Sequence, residues 1–139
     1  MLRLGAAGVI RDAEGRVLLV RESHRDWEPE QEPYVIPGGK LEDGETPRDA
    51  AEREIFEETG VVANVGPLVG VYVSRADDVL LAFVFLAEVT AGVATVPAGD
   101  EIIEVGWFDP AHLPAPCPSI SAAAIADAVE GRLGVYREV

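Results

Sequence analysis

Gly39-Lys-Leu-Glu-Asp-Gly44-Glu45-Thr46-Pro47-Arg-Asp-Ala-Ala-Glu-Arg53-Glu54-Ile55-Phe-Glu57-Glu58-Thr-Gly60-Val61 decides how this chain folds. Pro37-Gly38-Gly39 ahead of it has turn chemistry, and Asp43-Gly44 is a second turn signal. A helix over about 46–59 is predicted. Thr46 can cap its free amides, and Pro47 takes the first helical position, where no donor is needed. Gly60 suits the left-handed residue that ends it.

Within that helix Glu54, Glu57 and Glu58 stand at i, i+3 and i+4, so three carboxylates share one face of two turns. Like charges at that spacing repel, and anions in the second half of a helix oppose its macrodipole. Such an arrangement implies a cation. Oxygen donors with no His or Cys nearby point to a hard ion such as Mg²⁺, with Mn²⁺ as substitute. The plain alternative is a solvated acidic helix face.

The whole segment decides between them. It fits G-x5-E-x7-R-E-U-x-E-E-x-G-U, with U apolar, at every fixed position, and it resembles the Nudix box of the Nudix hydrolases. Tyr34-Val-Ile-Pro-Gly-Gly39 is similar to the lead-in of many members, and Asp100-Glu-Ile-Ile-Glu-Val-Gly-Trp-Phe108 to the family's acidic loop and late strand. The resemblance implies a metal-dependent pyrophosphohydrolase of nucleoside diphosphates linked to another group X. It also implies an α/β/α sandwich.

Residue roles follow from the resemblance. Glu57 and Glu58 match the direct metal ligands, Glu54 the third carboxylate, and the carbonyl of Gly38 the backbone ligand. Arg53 matches an orienting partner of the box acids rather than a phosphate clamp, and Glu45 closes the loop back onto it. The family's general base is a box glutamate or one in a later loop. Glu54 and Glu101 are the candidates here, Glu104 is a third, and Asp100 could take the place of Glu101.

Glu22 to Pro33 is a polar loop of a length that usually carries function. Trp27 can stack on a nucleobase while Arg21 or Arg25 meets phosphate; Tyr34 and Tyr72 are alternative stacking partners. His24, His112 and Cys117 sit in no recognisable catalytic pattern.

A coarse pass predicts strands at 3–11, 16–22, 34–36, 67–75, 79–89 and 102–108, and a last helix from Ile120 to about Arg132 capped by Ser119. Helices interspersed with strands, some in hairpins, imply a mixed sheet with a helix on each face, as the resemblance does. The 139 residues make one domain.

A formal charge of −14 argues against a nucleic-acid polymer or an anionic membrane as partner. The lone cysteine suits an intracellular, cytoplasmic protein, and no apolar run approaches a membrane span. Val79 to Ala87 is nearly continuous in apolar residues, so both faces of that strand need cover, from the terminal helix or from a second copy in a homodimer.

The family's markers for ADP-ribose and dinucleoside polyphosphate enzymes lie downstream of the box. About 16 residues beyond Val61 the chain has Ala76-Asp77-Asp78 instead of the expected Pro or Tyr, and Tyr72 falls too early. The expected substrate is therefore a (deoxy)nucleoside triphosphate. ADP-ribose and dinucleoside polyphosphates are the alternatives within the family; a catalytically idle nucleotide-binding module or a purely structural acidic domain lie outside its chemistry.

Overall fold

The computed structural model describes all residues 1–139. Strands β1 (Leu2–Ile10), β2 (Val17–Glu22), β3 (Tyr34–Val35) and β4 (Gly38–Lys40) precede helix α1 (Pro47–Thr59). Then come β5 (Val62–Ser74), β6 (Val79–Ala91), β7 (Ile102–Phe108), helix α2 (Ser119–Val129) and β8 (Val135–Glu138). A short 3-10 turn, Pro29–Gln31, lies in the loop after β2.

The expected α/β architecture with a mixed sheet between helices is present, and a second, smaller sheet accompanies it. The first has the order β4-β1-β6-β5-β8, the second β3-β2-β7. The larger is mixed: β1 runs parallel to β6, and β5 to β8, while β4–β1 and β5–β6 are antiparallel. After the tight turn at Asp12–Gly15 only the isolated bridge Arg11–Val17 joins β1 to β2, and β2 goes on to pair with β7 instead.

Alternation along β1 explains the layers. Ala6 and Ile10 are buried with residues of α1, whereas Ala7 and Val9 join Ala124, Ile125 and Ala128 of α2. On β6, Ala82 and Val84 face α2, and Phe85 and Ala87 face α1. Both faces of β6 are thus covered within one chain, and its apolar pattern needs no second copy. Ile55, fully buried, anchors α1 to the sheet; its truncation to Ala would cost roughly 3 kcal/mol.

Local chemistry sets the ends of α1. Thr46 accepts from the Asp49 amide at 3.1 Å, Asp49 returns a bond to the Thr46 amide at 3.0 Å, and Gly60 is left-handed at φ 74°.

Four details differ from the sequence expectation. Gly38 and Gly39, read as a turn, are an edge strand on β1; only glycine fits at Gly38, where a Cβ would come within 2.5 Å of the Ala6 carbonyl. β5 begins at Val62, with bulges near Pro67 that absorb the residue without a donor. Ser119 is the first residue of α2, not its cap, and the helix stops at Val129. β8, not expected at all, pairs with β5 beyond a turn at Gly134.

No helix is long and apolar enough to cross a membrane.

Candidate active site

The last two turns of α1, the edge strand β4 and the loop before β7 converge. Glu54, Glu57 and Glu58 line a cleft of about 390 Å³ with residues Pro97–Ile102, including Asp100 and Glu101. The Glu101 carbonyl accepts from the Ser23 amide at 2.8 Å, which ties this loop to the end of β2. The box acids and the distal acidic loop therefore face one space.

Arg53 organises the helix side of the cleft. Its guanidinium donates to both Glu45 carboxylate oxygens at 2.7 and 2.9 Å, to Glu54 at 2.8 Å, to Glu57 at 3.2 Å and to the Lys40 carbonyl at 3.0 Å. The Glu45 carboxyl is held down to about 2 by that fork. The Arg53 donors are thus engaged by Glu45, Glu54, Glu57 and the Lys40 carbonyl.

Of the other acids, Glu54 and Glu57 share that one guanidinium, while Glu58 and Glu22 have no ion pair with a basic side chain. Glu58 receives the Gly38 amide at 2.8 Å, yet burial, aided by Glu54, Glu22 and Glu57, pushes its carboxyl up to about 8. Burial also raises Glu54, against the pull of Arg53. Glu22 is raised by burial and by the charges of Glu101 and Glu54. Glu22, at the β2 bulge, was missed in the sequence because no spacing links it to the box; only the β2–β7 register, which pairs it with Ile102, brings it there. No three of these carboxylates converge into a ready-made coordination shell. Glu54 is turned toward Arg53 and Glu58 toward Gly38.

Gly39 allows this packing. A Cβ there would stand 2.5 Å from the Glu54 carboxyl.

A second cavity, about 300 Å³, lies across β4 and shares Gly38 and Gly39 with the first region. Arg3, Gly5 and Ala7 of β1, Leu80 and Ala82 of β6, and Ile120 and Ser121 of α2 wall it, and Glu22 stands at its border. It was not legible in the sequence, since its walls come from four separated segments. Ser121 holds one wall by accepting from the Ile36 amide at 3.1 Å.

The loop residues fare differently. Arg21 donates to the carbonyls of Glu32 and Pro29 and stacks 4.8 Å over the Tyr34 ring, so it braces the loop. Tyr34 in turn bonds Glu104 at 3.0 Å, which occupies the third candidate base. Trp27 is exposed beside His24, ring centroids 5.5 Å apart, and Arg25 is exposed next to them. None of these three lines either cavity. Tyr72 cannot stack on a ligand: it is fully buried and donates to Asp127 at 2.8 Å. His112 pairs with Asp109 on the surface, and Cys117 is half-buried, its thiol pushed up by burial.

A family model described as the NUDIX domain matches residues 1–128. A MutT-like protein of Streptomyces ambofaciens is 32% identical over 92% of this chain and 77% of its own length. An ADP-ribose pyrophosphatase of Methanocaldococcus jannaschii is 36% identical over 77% of this chain; the match spans 62% of that protein, under two thirds. Among solved structures, a MutT NUDIX hydrolase from Burkholderia pseudomallei superposes with a TM-score of 0.80 at 29% identity, covering 91% of this chain and 98% of the other.

Proposed function

The chain belongs to the Nudix hydrolases, which cleave pyrophosphate bonds with divalent metal ions, and from that premise we propose that it uses Mg²⁺, with Mn²⁺ as substitute, to convert a (deoxy)nucleoside triphosphate to the monophosphate and pyrophosphate. The observation that carries this reading is the junction at Gly38 and Gly39, with uncompensated carboxylates on one side and a largely apolar cavity on the other. A nucleoside triphosphate has that polarity: an anionic tail that needs cations and a flat head that needs apolar cover.

The donor set fits a hard divalent ion. Only carboxylate oxygens line the helix side of the cleft, and burial, with neighbouring carboxylates adding to it, raises Glu54 and Glu58 there and Glu22 beside them. Glu57, Glu58 and Glu54, with the Gly38 carbonyl, would hold the ion, which when bound neutralises the pyrophosphate and acidifies a water. Glu101 takes the proton from the attacking water, with Glu54 as the alternative base; Arg53 keeps Glu54 and Glu57 in place. Trp27 and Arg25 are the loop's exposed stacking and phosphate contacts for the substrate, outside both cavities, while Arg21 and Tyr34 set that loop's position. The enzyme acts as a single cytoplasmic domain on a diffusible nucleotide.

ADP-ribose is the second reading, favoured by the name of the Methanocaldococcus relative. A nucleotide panel with Mg²⁺, run in ¹⁸O-labelled water to locate the attacked phosphorus, separates the two. Several triphosphates should turn over within about a hundredfold in kcat/KM, because apolar and stacking contacts discriminate weakly. Turnover of ADP-ribose alone, or of a dinucleoside polyphosphate alone, would overturn the substrate assignment and leave the chemistry standing.

A further inference from the structure

Of the buried side-chain nitrogens and oxygens in this protein, one has no hydrogen-bond partner: Nε of Arg3. Its nearest acid, Asp78, stands at 3.8 Å, beyond hydrogen-bond reach, and the same carboxylate already accepts from the N-terminal amine at 3.2 Å. A buried donor left unpaired is costly, and native structures seldom keep one without a use for it.

Its place suggests the use. Arg3 lies on β1 two residues before Gly5 and four before Ala7, so the pleat puts all three on the α2 face of the sheet, and all three line the 300 Å³ cavity beside Gly38 and Gly39. Across the parallel ladder Arg3 is in register with Leu80, another wall residue. The side chain remains 41% exposed. Glu22 and Lys40 are the other charged groups in the lining. In a protein of net charge −14, a guanidinium in a cavity wall whose one acidic neighbour stands at 3.8 Å has donors to spare for a ligand.

We propose that Arg3 is a specificity-determining residue for the group that enters this cavity, selecting nucleobases that present a carbonyl on their outer edge. The inference rests on the nucleotide reading above. A guanidinium donates and cannot accept, so it pairs with O6 of guanine or hypoxanthine and O4 of uracil or thymine. It meets the amino groups of adenine and cytosine donor to donor. Keto bases are thereby favoured over amino bases across both ring sizes, a pattern that cavity shape alone would not give.

ITP and ATP differ at this edge by one oxygen for one amino group, and UTP and CTP by the same exchange, which makes them the probes. Wild-type kcat/KM for ITP over ATP, and for UTP over CTP, should be about tenfold or more, since one good donor–acceptor match at a base edge discriminates by that order. In Arg3→Ala both ratios should fall to about one, through KM rather than kcat, while thermal unfolding stays within a few degrees. Arg3→Lys should restore part of the preference, because an ammonium also only donates. Wild-type ratios near one, or ratios unchanged in Arg3→Ala, would overturn the role of Arg3 and leave the pyrophosphohydrolase reading intact. If no nucleotide turns over with Mg²⁺ or Mn²⁺, the broader reading falls, and the role of Arg3 with it.

Discussion

Asp127 is a buried acid and Glu58 a half-buried one, and what faces them sets them apart. Asp127, on α2, is 2% exposed. It receives Arg137 through two bonds of 2.7 Å, Tyr72 at 2.8 Å and Arg132 at 3.3 Å. Arg137 holds its carboxyl down to about 2 against the pull of burial. Glu58 meets one backbone amide and otherwise other carboxylates, and is pushed up to about 8. One cluster is complete within the chain and ties β8, α2 and β5 together. The other is complete only with positive charge from outside. The comparison teaches that an acid-rich site is recognised by what is missing from it, because structural acids arrive with their partners.

The largest effect expected from breaking this contrast is kinetic. Glu57→Gln and Glu58→Gln should each lower kcat by about two orders of magnitude or more, since charge developing on the pyrophosphate is handled through these ligands. The melting temperature without metal should hold or rise as repulsion is relieved, and the rise that millimolar Mg²⁺ gives the wild type should largely vanish. Variants that unfold while their folded fraction keeps full turnover would mark these acids as structural.

Asp127→Asn should do the reverse. Removing the carboxylate strands a buried tyrosine hydroxyl and two arginines, which are half exposed and can turn to water. The loss is therefore about 2 kcal/mol rather than the larger cost of a fully buried pair. At this chain length that is about 8 °C in thermal unfolding. Turnover per folded molecule should match the wild type. A loss of kcat without a loss of stability would mean that the two clusters are coupled through α2, one wall of the second cavity.

These two regions also show what the sequence could carry. α1, its Thr46 cap, its Gly60 stop and the acid triplet were legible because helix periodicity and capping act within a few residues. The Arg53–Glu45 contact was legible only through the resemblance of the whole segment, since Glu45 lies ahead of the helix and eight residues from Arg53. Glu22, the second cavity and the Asp127 node were not. Glu22 reaches the site through strand register. The cavity needs β1, β4, β6 and α2 together. Asp127 meets Tyr72 across 55 positions of chain. β8 went unseen because four residues after two glycines carry too little pattern. Tyr72 misled because a buried tyrosine with a partner for its hydroxyl has the same composition as an exposed stacking one.

The smallest effect is in the pH dependence of stability, and there the two clusters should pull in opposite directions. Asp127 is depressed from 3.8 to about 2, so its contribution is whole above about pH 4 and is lost as pH falls toward 2. Glu58 is raised from 4.5 to about 8, so the folded state binds its proton more tightly than the unfolded chain does. Its contribution is whole below about pH 4.5 and is lost as pH rises toward 8. In the metal-free protein the melting temperature should therefore decline on both sides of a maximum near pH 4 to 5. The alkaline limb should be worth on the order of 1 kcal/mol, because Glu58 is partly exposed and solvent screens it. Glu58→Gln should flatten that limb alone, and Asp127→Asn the acid limb alone. Saturating Mg²⁺ should reverse the alkaline limb, because a cation binds the ionised carboxylates and its stabilisation grows as they lose their protons. Thermal unfolding from pH 2 to 8 with EDTA, repeated with Mg²⁺, measures all of this. An alkaline limb that survives Glu58→Gln would place the uncompensated charge elsewhere, on Glu22 or Glu54.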